Sequence, residues 1–258
     1  MSVGGLLLDL EGVLYQAGEA IPGAVDSVQS LAEAGLQLRF LTNTTTQPRA
    51  AIVERMRTLG FDVAPERVFT PALAAAHLLK EDNASRLHLA APQELAADFA
   101  AFDLVDEEPE AVVLGDLHTG FTWGRLDALF RMVLGGARPV ALHRNRFCRR
   151  GAELALDLGP FVAALEYAAG VEAVVVGKPS EPLFAAAVAD MGLPPSEAVM
   201  VGDDIEADIG GALQAGLSAV QVRTGKYSRR DENHPNVTPT GRISSIVDLP
   251  TWLENQET

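Results

Sequence analysis

Four places in the sequence follow an apolar run with residues able to do chemistry. They are Asp9 and Glu11 in LLLDLEG, Thr42 and Asn43 in RFLTN, Lys178 in VVVGKP, and Asp203 and Asp204 in VMVGDD, with Asp208 one turn further on. Brought together, the carboxylates would face only Lys178 as a counter-charge. Two like charges about 4 Å apart repel by about 4 kcal/mol at an effective dielectric near 20, so such a cluster requires a cation or must protonate. Carboxylates with no His or Cys ligand beside them are hard oxygen donors, which favours Mg²⁺ over zinc. Mg²⁺ held by few carboxylates keeps positions open for water and phosphate oxygens. The Thr42 hydroxyl, the Asn43 backbone amide and the Lys178 ammonium would complete a receptor for a phosphoryl group. A carboxylate beside bound phosphorus is an established nucleophile, and the cation and lysine would stabilise charge on the transferring group.

Such a meeting requires the apolar runs to be neighbouring parallel strands, because open α/β sheets bind ligands beyond the carboxyl ends of their strands. The sequence alternates strand and helix in the manner this needs. Residues 5–10, 36–41 and 68–69 read as strands, with helices over 22–33, 47–59 and 71–80. From residue 171 onward, strands over 171–178, 198–204 and 218–222 alternate with helices over 181–191 and 206–215, and a short helix over 245–254 follows. The middle has its own rhythm, with strands over 87–90, 111–114 and 139–142 and helices over 92–101, 122–134 and 160–169. Repeated βα units predict parallel sheets covered by helices. The expected fold is α/β: a Rossmann-like parallel-sheet core from residues 1–79 and 172–258, and a smaller inserted α/β domain over 80–171.

Composition narrows the function. The chain has 258 residues, enough to bury a core without disulfide or metal staples. Thirty-five acidic residues against 20 basic ones give a net charge of −15, which repels phosphate backbones and argues against a nucleic-acid partner. A small anion in a local positive pocket stays compatible with that charge. Cys148 is the single cysteine, so no internal disulfide forms, as expected in a reducing compartment. The N-terminus lacks a basic region followed by an apolar stretch, and no run approaches 18 apolar residues. Neither secretion nor a membrane partner is expected, and the expected location is the cytoplasm.

DLEGVL, LTNTT, VGKP and VGDDIEAD, in that order, resemble the four motifs of the haloacid dehalogenase (HAD) superfamily of phosphohydrolases. The insertion between the second and third motifs resembles the type IIA subclass, whose inserted domain is a C2-type cap. The longer strings LDLGPFVAALEYAAG and QVRTGKY extend the likeness over nearly the whole chain. The resemblance implies a Mg²⁺-dependent phosphatase acting on a small phosphorylated molecule through an aspartyl-phosphate. It implies Asp9 as nucleophile and metal ligand, and Glu11 as a ligand through its backbone carbonyl with its side chain in the acid/base position. Thr42 and Asn43 would bind the phosphoryl group, and Lys178 would hold nucleophile and phosphate together. Asp203 would ligate the metal, with Asp204 and Asp208 supporting the metal shell. A homodimer through the cap is also compatible with it.

One residue departs from the pattern. The family's first motif is D-x-D, and here it is D-x-E, with Glu11 one methylene longer. A displacement of about 1 Å costs up to about 100-fold in rate. Substrates with good leaving groups, such as phosphoramidates or pyrophosphate, depend least on protonation by this residue. Two other readings stand beside the enzyme: a phosphoacceptor signalling protein, whose domains are far shorter, and a catalytically silent HAD-fold scaffold, supported by Glu11 alone.

Simpler explanations cover the remaining features. Asp and Asn after strands often cap the next helix, and Asp208 alone equally suits a helical first turn. The basic cluster Arg144, Arg146, Arg149 and Arg150 reads as a solvated face ahead of a substrate-attracting one. Gly210 and Gly211 read as close helix packing, and Trp123 and Trp252 as packing residues. No histidine has the spacing of a catalytic or metal pair.

Overall fold

The computed structural model describes residues 3–150 and 153–256. The chain divides into two units, one formed by Met1–Thr42, Ala50–Phe69 and Lys178–Thr258, the other by Asn43–Arg49 and Thr70–Gly177.

The first unit is built on a six-stranded parallel sheet in the order Gly241–Ile243, Ser218–Val222, Ala198–Gly202, Gly5–Asp9, Gln37–Leu41, Val68–Phe69. The central strands are continuous apolar runs because both faces of the sheet are covered: Leu6, Leu7, Leu8, Val199, Met200 and Val201 are all fully buried. Each such side chain contributes about 1.5–3 kcal/mol relative to its exposed state. From Gly5–Asp9 the chain builds outward through Gln37–Leu41 and Val68–Phe69, then returns on the other side at Ala198–Gly202. Strand order therefore reverses between Gly5–Asp9 and Ala198–Gly202, where an α/β sheet opens its ligand crevice. Leu8 pairs with Val201 and Asp9 with Leu41, so Asp9, Thr42 and Asp203 all emerge at the same rim.

The second unit has a separate five-stranded parallel sheet, ordered Val174–Val175, Arg138–Ala141, Ala111–Leu114, Arg86–Ala90, Asp103–Leu104. Its helices Pro71–Glu81, Trp123–Leu134 and Leu158–Ala169 start at Thr70, Thr122 and Asp157, whose side chains accept amide hydrogen bonds there. The helix Pro71–Glu81 packs Ala72, Ala75 and Leu79 into this unit's core, beside Leu87, Val112 and Val140. The contact division accordingly falls at Thr70 and Gly177.

Several expected elements differ from what is found. The run 171–178 forms only the short strand Val174–Val175, which pairs with Val140 and Ala141 in the second unit's sheet. Only three of the four chemically equipped strand ends thus belong to the six-stranded sheet. A strand after the helix Leu158–Ala169 extends the sheet that helix already covers, and this pairing is invisible in local pattern. Residues 92–101 form 3₁₀ turns over Gln93–Phe99 that bury Leu95 and Phe99. The expected helix over 206–215 is a π-helical turn, Ile205–Gly210, followed by a short α-helix, Gly211–Gln214. Gly211 lets that helix approach Pro179, since a Cβ there would lie 2.8 Å from the proline Cα. Trp252 packs partly buried against the first core, but Trp123 is 80% exposed and is not a packing residue.

Candidate active site

Asp9 closes the strand Gly5–Asp9 and is buried. Lys178, the first residue of its chain segment in this unit, donates from Nζ to Asp9 Oδ1 at 2.5 Å and pairs with Asp208 Oδ1 at 2.7 Å. Asp208 reaches that position because the wide turn Ile205–Gly210 rolls it inward against Gly202, where a Cβ would lie 2.4 Å from Asp208 Oδ2. π-turns of this kind recur at functional sites. Asp204 holds the turn from outside, its Oδ1 accepting from the Glu206 and Ala207 amides at 3.1 and 3.0 Å, while its own amide donates to Asp208 Oδ2 at 3.1 Å. Asp9, Asp203 and Asp208 each offer a buried carboxylate oxygen, and these oxygens lie within 4.8 Å of one another.

Asp203 is clamped by two glycine loops. A Cβ on Gly12 would stand 2.2 Å from Asp203 Oδ2, and one on Gly225 would stand 1.9 Å away; both glycines have positive φ, 93° and 63°. Only glycine gives these loops both the conformation and the space. Thr224 Oγ1 donates to the Gly12 carbonyl at 2.5 Å and ties the loops together. The Lys226 amide donates to Asp203 Oδ2 at 2.6 Å, and Lys226 Nζ donates to Asp204 Oδ2 at 3.1 Å.

The electrostatics follow from burial and crowding. Burial raises the Asp9 pKa to about 6, with Lys178 pulling against it and the Asp208 charge adding to it. Asp203 is pushed well above the usual carboxylate range by burial, then by the charges of Asp9 and Asp208. Burial would also raise Asp204, but the Lys226 ammonium and the Ala207 and Glu206 amides outweigh it and hold its pKa down. Lys178 stays protonated: burial disfavours its charge, and the carboxylates of Asp208 and Asp9 more than compensate. With all four carboxylates ionised, Asp9, Asp203, Asp204 and Asp208 against two ammonium groups (Lys178, Lys226) leave two negative charges, the complement of one divalent cation. An all-oxygen donor set of this kind suits a hard cation.

A family model described as haloacid dehalogenase-like hydrolase matches residues 6–105, and a HAD-hydrolase-like model matches residues 175–249. The phospholysine phosphohistidine inorganic pyrophosphate phosphatase of Bos taurus is 40% identical over 257 residues, 97% of this chain and 94% of its own. The chain belongs to the haloacid dehalogenase-like hydrolases. Among solved structures, a 4-nitrophenylphosphatase from Thermotoga maritima superposes with TM-score 0.90 at 26% identity, covering 96% of this chain and 97% of its own. A glycerol phosphate phosphatase from Mycobacterium tuberculosis in complex with magnesium gives TM-score 0.83 at 30% identity, covering 96% and 76%. Both neighbours are phosphatases by name.

Within this hydrolase, the sequence-derived residues separate into groups. Asp9, Lys178, Asp203, Asp204 and Asp208 gather in one cluster. Thr42 is buried at the end of Gln37–Leu41, its amide donating to the Phe69 carbonyl at 3.2 Å. Asn43 groups with the second unit, where its Oδ1 lies beside Gly177. The Glu11 side chain is exposed and accepts a hydrogen bond from the Ala17 amide at 3.0 Å, across the turn of the hairpin Tyr15–Gln16/Glu19–Ala20. In the second unit, Arg144 is ion-paired to Glu166 at 2.6 Å, and Arg146 lies 5.9 Å from the Phe147 ring centroid. The side chains of Arg149 and Arg150 lie outside the described residues.

Lys178 is not the lone counter-charge that the sequence reading assumed. Lys226 was missed: it follows the strand Ser218–Val222, next to Ala198–Gly202 in the sheet, but only after Arg223, Thr224 and Gly225, so it does not stand at the strand end itself. Gln221, fully buried, was also missed; its Nε2 donates to Asp231 Oδ2 at 2.9 Å and approaches the Asp203 carbonyl at 3.4 Å.

Proposed function

We propose that this hydrolase is a Mg²⁺-dependent phosphatase of small phosphorylated molecules that works through an aspartyl-phosphate on Asp9. The observation that carries the reading is the buried cluster of Asp9, Asp203 and Asp208 with Lys178 bridging Asp9 and Asp208. The Asp9 and Asp203 carboxylates, with the Glu11 backbone carbonyl, would hold the ion, and Asp204 and Asp208 would fix its surroundings. When bound, Mg²⁺ would neutralise charge on the phosphoryl oxygens. Asp9 forms a bond to phosphorus through one oxygen while the bond to the leaving group breaks. Lys178 holds the other oxygen, so the nucleophile is aimed and its charge balanced. Thr42 and Asn43 would bind the phosphoryl oxygens. Water then attacks phosphorus, releasing orthophosphate and regenerating Asp9.

The second unit would serve as the cap that selects the substrate and excludes water. Glu11 in the acid/base position suits substrates with good leaving groups, and the phosphoramidate and pyrophosphate named in the Bos taurus relative are of that class. The single cysteine fits a reducing compartment, and we propose the cytoplasm.

The test is multiple-turnover release of orthophosphate from a panel of phosphorylated metabolites, phosphoamino acids and pyrophosphate. Release should require Mg²⁺, cease on chelation, and vanish in Asp9→Asn. Failure of the wild-type enzyme to turn over any of them would leave the scaffold reading in its place.

A further inference from the structure

We propose that Lys226 is a positioning residue whose side-chain charge sets the balance of the metal site, weakening cation binding while easing entry of the anionic substrate. The inference rests on the metal-dependent reading above and adds a residue to it. Lys226 contacts the site in two separable ways. Its backbone amide fixes Asp203 Oδ2 at 2.6 Å, and its ammonium reaches Asp204 Oδ2 at 3.1 Å. Asp204 does not need the ammonium for its position, because the Glu206 and Ala207 amides already hold its Oδ1 at 3.1 and 3.0 Å. Nor does Asp203, which is fixed by the Lys226 backbone and packed between Gly12 and Gly225. What the side chain supplies is therefore charge rather than structure.

That charge differs from the one on Lys178. Lys178 is buried between Asp9 and Asp208, whereas the Lys226 side chain is 47% exposed. Its ammonium is open to solvent and sits on Asp204, whose amide is bonded to Asp208, so its field acts on the neighbouring carboxylates. Without it, the four carboxylates, once ionised to take a cation, would face one ammonium, with three negative charges in place of two. A site so charged grips a divalent cation harder and repels a phosphate dianion more strongly.

The experiment uses the full-length protein with Lys226→Met, Lys226→Arg and the double variant Lys226→Met/Asp204→Asn. Mg²⁺ is titrated into the metal-free proteins by calorimetry, and inhibition by inorganic phosphate and turnover are measured on the loaded enzymes. Lys226→Met should bind Mg²⁺ about threefold to tenfold more tightly, with weaker phosphate inhibition and a KM that rises more than kcat falls. Lys226→Arg should behave as wild type, and the double variant, with charge restored, should return to wild-type Mg²⁺ affinity. Unchanged or weaker Mg²⁺ binding in Lys226→Met would overturn the proposal, since loss of a merely structural contact loosens the ligands. If the wild-type protein itself takes up no Mg²⁺, the metal-dependent reading fails, and this inference with it.

Discussion

Lys178 Nζ lies 2.5 Å from Asp9 Oδ1, and both side chains are buried. The same ammonium pairs with Asp208 Oδ1 at 2.7 Å, so a single cation neutralises part of two carboxylates that water cannot solvate. Breaking a buried pair by removing one partner typically costs about 3–5 kcal/mol, because the remaining charge is stranded. Lys178→Met should thus lose about that much stability in denaturant titration as well as its turnover. Double replacement with Asp208→Asn should recover part of the stability and none of the activity. A Lys178→Met protein as stable as wild type would contradict the pairing.

The raised Asp9 pKa makes a separate statement about pH. Its folded value of about 6 lies above the ordinary 3.8, so the folded metal-free protein holds a proton that the unfolded chain releases between those values. Stability from this group is therefore present at low pH and is lost as pH rises from about 4 through about 6. In the absence of metal, Asp9→Asn, which leaves Lys178 paired with Asp208 and so strands no charge, should be more stable than wild type near neutrality, by about 2–3 kcal/mol. The difference should close toward pH 4. Saturating Mg²⁺ should raise the wild-type Tm and move the Asp9→Asn Tm far less. A metal-free wild type that outlasts Asp9→Asn at neutral pH would show that the cluster is not strained.

Gly225 gives a test of geometry that removes no charged group. A Cβ there would lie 1.9 Å from Asp203 Oδ2, so Gly225→Ala must displace the carboxylate. A shift of about 1 Å in such a site costs on the order of 100-fold in rate, and Mg²⁺ affinity should fall with it. The control is Gly35→Ala: φ there is also positive, at 87°, but nothing lies within 4 Å of its Cβ. That substitution should cost about 1–2 kcal/mol of stability from backbone strain and leave kcat/KM unchanged. Equal effects of the two on rate would reduce the clamp to general loop strain.

The parts of this architecture that were legible in sequence are those set by local pattern. Gly5–Asp9 and Ala198–Gly202 announce themselves as apolar runs because both faces of their sheet are covered, and Ser218–Val222 nearly so, while Gln37–Leu41 shows instead the alternation of a half-buried strand. Strand partnership is not local, which is why Val174–Val175 was placed in the wrong sheet. The strand Gly241–Ile243 is three residues long, too short to show a period. The hairpin Tyr15–Gln16/Glu19–Ala20 turns through Ala17 and Gly18, both at positive φ, and alanine gives no sign of that conformation. Among site residues, the acidic ones were visible because charge after an apolar run is unusual. Lys226 was not, because its strand ends in Gln221 and Val222 and the lysine comes only after Arg223, Thr224 and Gly225.

We propose that Glu11 decides which substrates the site handles well. Its carboxylate is exposed and engaged with the Ala17 amide at 3.0 Å, a neutral-donor hydrogen bond it can give up to serve a substrate at modest cost. An alkyl phosphate expels a strongly basic alkoxide and needs a proton in the transition state, whereas an aryl phosphate expels a phenoxide that leaves without one. If Glu11 is that proton donor, Glu11→Ala should lower kcat/KM on an alkyl phosphate by about 100-fold or more. On an aryl phosphate the loss should be at least tenfold smaller. Restoring the family's aspartate with Glu11→Asp should raise the alkyl rate relative to the aryl rate. Parallel losses on both substrates would remove Glu11 from proton transfer and leave it as the residue that fastens the Tyr15–Ala20 hairpin turn.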